Sequence, residues 1–201
     1  MTRHSLRVTC SLNLNLNSNM RFIETSIPGL TIIEPTVYED DRGYFFESFR
    51  EDLFAQKFPG VKFIQENESL SSYGVLRGLH YQLPPFAQSK LVRVVAGTVL
   101  DIAVDIRKSA PTFGKDVALE LSGENKKQFF IPQCFAHGYV VLSETAVFQY
   151  KVDNYYYKES ERGILYNDAD LKIDWIVKEE NILISEKDEI NKLLCESDCF
   201  N

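Results

Sequence analysis

Histidine is scarce in this 201-residue chain, with His4, His80 and His137 its only three. Imidazole chemistry therefore has a short list of candidates, and a metal centre with three His ligands would need them all. Cysteine occurs at positions 10, 134, 195 and 199, and no two form a C-x-x-C. Cys195 and Cys199 could share a helix face, but two thiols without further ligands make a poor zinc site, so free thiols in a cytoplasmic setting are expected. No apolar run approaches the ~18 residues of a membrane helix. Arg3 and Arg7 are followed by Asn and Ser rather than an apolar stretch, so no signal peptide is read there. Neither G-x-x-x-x-G-K-[ST], G-x-G-x-x-G nor G-x-S-x-G is present, so phosphate-cradling loops and a serine elbow are missing. Positive charge is in deficit, 22 Lys+Arg against 29 Asp+Glu for a formal charge of −7. That balance argues against non-specific nucleic-acid binding and against docking on an anionic membrane, while leaving room for a local basic pocket.

What is present reads as an ordinary globular chain, 44% hydrophobic and 25% charged. The length suits one sizeable core rather than two domains. Methionine occurs only as Met1 and Met20, and regular patterning starts at Met20. Residues 1–19 are expected to be a disordered extension or a start-site artefact, and 20–201 a single domain.

From Met20 onward the signal is mostly strand. TIIEPTVY (31–38) and YFFESF (44–49) flank a DDRG turn, and EDLFAQKF (51–58) is a short helix ending at Pro59-Gly60. KFIQENESLS leads to GVLRGLHYQ (74–82). LVRVV (91–95) and TVLDIAVDIR (98–107) read as a hairpin about Ala96-Gly97. In its second arm Val99, Asp101, Ala103, Asp105 and Arg107 share one face, and Leu100, Ile102, Val104 and Ile106 the other. Further short strands follow over 116–122, 127–132, 138–143 and 146–157, without a long helical period before about residue 180. This spacing predicts an all-β jelly-roll sandwich or barrel. The tail SEKDEINKLLCES reads as a short helix with Ser185 as N-cap.

Single residues that could carry chemistry have dull readings as well. Alternation puts Arg77, Leu79 and Tyr81 on one face and Gly78, His80 and Gln82 on the other, unless a bulge intervenes. Lys90 opens the next strand, His137 precedes a Gly, and Tyr150 lies in VFQYKV. A typical cupin metal site wants two His one residue apart, and here His80 is followed by Tyr81 and Gln82, so no metal is expected.

Seven ordered segments carry a resemblance. They are TSIPGLTIIEP, DDRGYFFESF, QENESLSSYGVLRGLHYQ, SKLVRVVAGTVLDIAVDIRKSAPTFGK, FFIPQCFAHGYVVLSETAVFQYKVDNYY, ERGILYNDADLKIDW and ISEKD, spanning about residues 25–190. The chain resembles the dTDP-4-dehydrorhamnose 3,5-epimerases, cofactor-independent, cupin-like enzymes of deoxysugar biosynthesis. The resemblance implies a jelly roll with short peripheral helices, no cofactor, and a dTDP-4-keto-deoxysugar as substrate. It also implies a homodimer in which an N-terminal strand joins the partner's sheet, so that residues from the first 70 positions contribute in trans.

Carried over by position, the general base falls on His80, its paired carboxylate on Asp188, the opposite-face proton donor on Tyr150, and the lysine near the keto oxygen on Lys90. His137 corresponds to the histidine of the AHG segment. Nucleotide and pyrophosphate contacts fall on Arg42, Glu47, Gln65, Asn67, Arg77, Glu161 and Lys187, with Phe45 as an aromatic neighbour of the base. Protons α to the C4 ketone are removable as an enolate, and a neutral imidazole suits that task near pH 7. Tyr155, Tyr156 and Tyr157 are read as packing and interface residues rather than a base-stacking platform. After SEKD the chain departs from the family pattern of small residues and proline. A relative that epimerises one carbon only is the alternative reading, and a non-catalytic nucleotide-sugar-binding module stands against it as the non-enzyme reading.

Overall fold

The computed structural model describes residues 20–201; the expectation for residues 1–19 lies outside the described residues. Strands β1 (Met20–Glu24), β2 (Thr31–Pro35), β3 (Val37–Asp40) and β4 (Gly43–Phe46) precede helix α1 (Glu51–Lys57). Then come β5 (Gln65–Ser72), β6 (Leu76–Gln82), β7 (Lys90–Ala96), β8 (Thr98–Asp105), β9 (Asp116–Ser122), β10 (Gln128–Ile131), β11 (Phe135–Val141), β12 (Thr145–Val152), β13 (Glu161–Gly163) and helix α2 (Glu186–Glu189). A six-stranded sheet runs β1-β2-β10-β7-β12-β5, and a five-stranded sheet runs β13-β6-β11-β8-β9. Pairing within both is antiparallel, and β3–β4 form a separate hairpin. The chain forms the expected cupin-like jelly roll with few, short helices.

Side-chain alternation explains how the sheets stack. Val92, Val94, Phe129 and Phe148 of the larger sheet meet Val99, Ala103, Leu121 and Val141 of the smaller one in the central core. The outer face of the smaller sheet is also covered. Leu100, Ile102, Val104 and Ile106 lie there with Leu76, Leu79 and Tyr81, under Ile164, Leu171, Trp175 and Leu194 from the C-terminal segment. Both faces of β8 are therefore buried, so Asp101 and Asp105, which alternate with Val99 and Ala103, are buried carboxylates that need partners. Each fully buried Leu or Ile there contributes about 1.5–3 kcal/mol. On the larger sheet's outer face, Phe54 of α1 packs with Met20, Ile33, Leu91 and Phe130 among further phenylalanines.

Two expectations are corrected. LVRVV and TVLDIAVDIR do not pair as a hairpin: β7 bonds β10 and β12, whereas β8 bonds β11 and β9. The chain crosses between sheets at Gly97, whose φ is +79° and whose Cβ, if present, would lie 2.1 Å from the Thr145 carbonyl oxygen. The C-terminal helix is also shorter than read, because α2 spans only Glu186–Glu189. Beyond it the backbone finds tertiary partners instead of helical ones. Leu165 N–H donates to Lys192 O at 2.8 Å, and Lys108 N–H donates to Phe200 O at 2.8 Å.

Candidate active site

A cavity of about 530 Å³ opens between the two sheets, lined by Asn67, Arg77, His80, Lys90, His137, Tyr139, Phe148, Tyr150, Lys187 and Asp188 among others. Its volume suits a small-molecule site. Simple alternation would have separated Arg77 from His80. A bulge reunites them: His80 pairs with His137 and Arg77 with Tyr139, so Gly78 and Leu79 on β6 oppose Gly138 alone on β11. Gly78 has φ +141°, and a Cβ there would stand 2.5 Å from Gly138 Cα. Leu79 and Tyr81 go to the outer core, while Arg77 and His80 both face the cavity.

His80 Nε2 and Asp188 Oδ1 are 2.6 Å apart. Asp188 is presented by α2, where Ser185 caps the helix by accepting the Asp188 N–H at 3.2 Å. Gly78 N–H reaches the second carboxylate oxygen at 3.5 Å. Burial alone would raise the Asp188 carboxyl, but the bond and charge of His80, with the Gly78 and Ser185 contacts, hold it below its ordinary value. The carboxylate thus fixes one imidazole nitrogen and leaves the ring 29% exposed at the cavity.

A second His–Asp pair lies deeper. Both oxygens of Asp101 on β8 lie within 3.1 Å of Nε2 of His137 on β11. Desolvation lowers the His137 pKa, opposed by Asp101 and assisted by the nearby Lys90 charge, which keeps the ring neutral. Lys90 donates to the His80 carbonyl oxygen at 3.2 Å. Burial brings its pKa down to about 8, with Asp101 and then Glu161 acting the other way. At neutral pH it remains mostly a cation.

Tyr150 comes from β12 of the larger sheet and faces the cavity from the wall opposite His80. Burial raises its phenol pKa, while a hydrogen bond from the Asn67 side chain pulls it down. Tyr139 stacks on Phe148 with ring centroids 4.0 Å apart and shares a 3.0 Å hydrogen bond with Ser69.

At the cavity mouth Lys187 donates to Glu161, and the Tyr156 hydroxyl donates to the other Glu161 oxygen at 2.8 Å. Gln65 stands behind Asn67 and donates to its Oδ1 at 2.9 Å. Arg42 and Glu47 do not line this chain's cavity. Arg42 sits at the tip of the β3–β4 hairpin in an exposed ion pair with Asp40, and Glu47 lies 3.9 Å from Arg50. Phe45 is 70% exposed on the same hairpin. Sequence reasoning did not single out Asp101, Tyr139 or Ser69. Asp101 carried a usable signal, because a carboxylate alternating with Val99 and Ala103 on a buried strand needs a partner. Among the described residues, no group of three or more His, Cys, Asp or Glu side chains is arranged to hold a metal ion.

Comparison with known proteins gives a consistent picture. The family model described as dTDP-4-dehydrorhamnose 3,5-epimerase matches residues 24–196. A dTDP-4-dehydrorhamnose 3,5-epimerase of Shigella flexneri is 52% identical over 182 residues, covering 90% of this chain and 99% of the relative. The crystal structure of a dTDP-6-deoxy-D-glucose-3,5-epimerase from Legionella pneumophila Philadelphia 1, in complex with dTDP-4-keto-L-rhamnose, is 50% identical with a TM-score of 0.85, covering 89% of this chain and 95% of that one. That of a dTDP-4-dehydrorhamnose 3,5-epimerase from Elizabethkingia anophelis NUHP1 is 52% identical with a TM-score of 0.83, covering 87% of this chain and 96% of that one.

Proposed function

We propose a function from one premise: the chain belongs to the dTDP-4-dehydrorhamnose 3,5-epimerase family. It is an isomerase that converts dTDP-4-dehydro-6-deoxy-D-glucose to dTDP-4-dehydro-L-rhamnose. The observation that carries the reading is the opposition of His80 and Tyr150 across one cavity, each borne by a different sheet. Inversion at carbon needs a base on one face of the sugar and an acid on the other, and a single group cannot do both.

His80 removes the proton α to the C4 ketone, and Asp188 orients the ring and stabilises the imidazolium. Lys90 supplies positive charge where the enolate oxygen develops, with His137 beside it. Tyr150 returns a proton to the opposite face. Arg77 and Lys187 meet the diphosphate, whose paired oxygens suit a guanidinium.

Arg42, Glu47 and Phe45 act in trans. Their hairpin projects exposed Tyr38, Tyr44 and Phe45, an aromatic surface suited to a second copy of the chain. The enzyme in this reading is a homodimer in which the β3–β4 hairpin reaches the partner's cavity, while β1 and β2 stay in this chain's own sheet. Cys134, Cys195 and Cys199 are free thiols, which supports a cytoplasmic enzyme.

The test is incubation with dTDP-4-keto-6-deoxyglucose in deuterated water, followed by NMR. Deuterium at both C3 and C5 with L-configured product is expected, and His80→Ala should be nearly inactive. Label at C3 alone would overturn the double epimerisation.

A further inference from the structure

The inward positions of β5 are all polar: Gln65, Asn67, Ser69 and Ser71 follow one another at period two. Two of them hold a side chain from a different strand, and a third adjoins one. Ser71 accepts from Arg77 Nε of β6 at 3.2 Å and Ser69 bonds Tyr139 of β11 at 3.0 Å, while Asn67 stands beside Tyr150 of β12, whose phenol pKa its amide lowers. β5 has only β12 as a sheet neighbour, and Asn67 lies directly opposite Tyr150 in that ladder. Gln65 Nε2 donates to Asn67 Oδ1 at 2.9 Å, which engages the amide oxygen and leaves its NH₂ as the group to serve the neighbouring phenol.

We propose that Asn67 is a positioning residue for Tyr150: its Gln65-held amide donates to the phenol oxygen, so the phenol's own proton is directed at the sugar. This role deepens the proposed epimerisation and rests on it. It differs from the nucleotide contact that the family resemblance implies for the same residue. Each inversion moves a proton from carbon to His80 and another from Tyr150 to carbon, leaving an imidazolium and a phenolate that reset through water. A donor at the phenol oxygen stabilises the phenolate and so speeds the second transfer. The other groups near the phenol are Tyr139, Arg77 and Glu161, whose charges act on it from β11, β6 and β13.

His80 is open to solvent, with 29% of its side chain exposed, so an enolate that fails to invert can still take deuterium back from it. Exchange and inversion are thereby separately measurable. In deuterated water, Asn67→Ala should lower inversion about 10-fold while exchange with retention stays within about 3-fold of wild type. Asn67→Asp should lower inversion further, because its carboxylate accepts the phenol proton. Both should change kcat more than KM. If an Asn67 variant does not fold by thermal denaturation, Gln65→Leu, which frees the amide to turn, is expected to shift the same ratio in the same direction. A raised KM with an unchanged ratio of exchange to inversion would overturn the proposal and leave Asn67 a nucleotide contact. Absence of any label with the wild-type enzyme would instead sink the epimerase reading itself.

Discussion

Asp101 and His137 face each other on adjacent strands, with the carboxylate oxygens 3.0 and 3.1 Å from the imidazole Nε2. The buried carboxylate also raises the pKa of Lys90, against the desolvation that lowers it to about 8. Asp101→Asn removes that support, so Lys90 should lose its proton at lower pH. The alkaline limb of kcat/KM is expected to move toward acid, with a rate at pH 8 reduced by about 10-fold, or ~1.4 kcal/mol. A limb that does not move would separate Asp101 from the Lys90 charge.

His137 makes the fold sensitive to mild acid. Its folded pKa is depressed by burial, so between that value and the unfolded ~6.5 the unfolded chain binds more protons. Stability should therefore decline as pH falls below about 6.5. His137→Gln should flatten the dependence of Tm on pH between 5 and 7.5, a range that keeps carboxylate titration aside. An equal slope in both proteins would assign the effect elsewhere.

Gly78→Ala tests the bulge. The added Cβ would meet Gly138 Cα at 2.5 Å, on a backbone with φ +141°. A loss of at least ~2 kcal/mol is expected, or roughly 4–8 °C in Tm. Activity should fall more than stability accounts for, since the same bulge turns both Arg77 and His80 to the cavity. Denaturation and kinetics on one preparation check this.

Tyr150→Phe retains the ring packing and removes the proton. Product formation should drop about 10²–10⁴-fold, while deuterium still enters the recovered substrate. Parallel loss of both signals would make Tyr150 a binding group rather than the donor.

Much of this architecture was readable in advance, and the misses have physical causes. Period-two alternation over 98–107 located β8 and both of its faces correctly. It could not say that the outer face is covered, because Trp175 and Leu194 arrive from a distant segment. The β7–β8 hairpin failed because Ala96-Gly97 has the residues of a tight turn, whereas Gly97 serves a crossing between sheets. Whether Arg77 shares a face with His80 stayed open to a bulge in the sequence, because a bulge has no signature beyond its glycine. Ser185 as an N-cap was legible, since its side chain serves the local Asp188 N–H. The Asp101–His137 contact was not, because cross-strand register depends on the whole sheet.

The His80–Asp188 contact spans 108 residues of sequence. During synthesis at about 5–20 residues per second, the imidazole emerges roughly 5–20 s before the carboxylate that orients it. The proposed base is therefore made well before its partner, and β11, which pairs with β6, follows only at Phe135–Val141. On the proposed roles the pair is complete only once α2 has been made and docked, so turnover of substrate would double as a report that translation has passed Asp188.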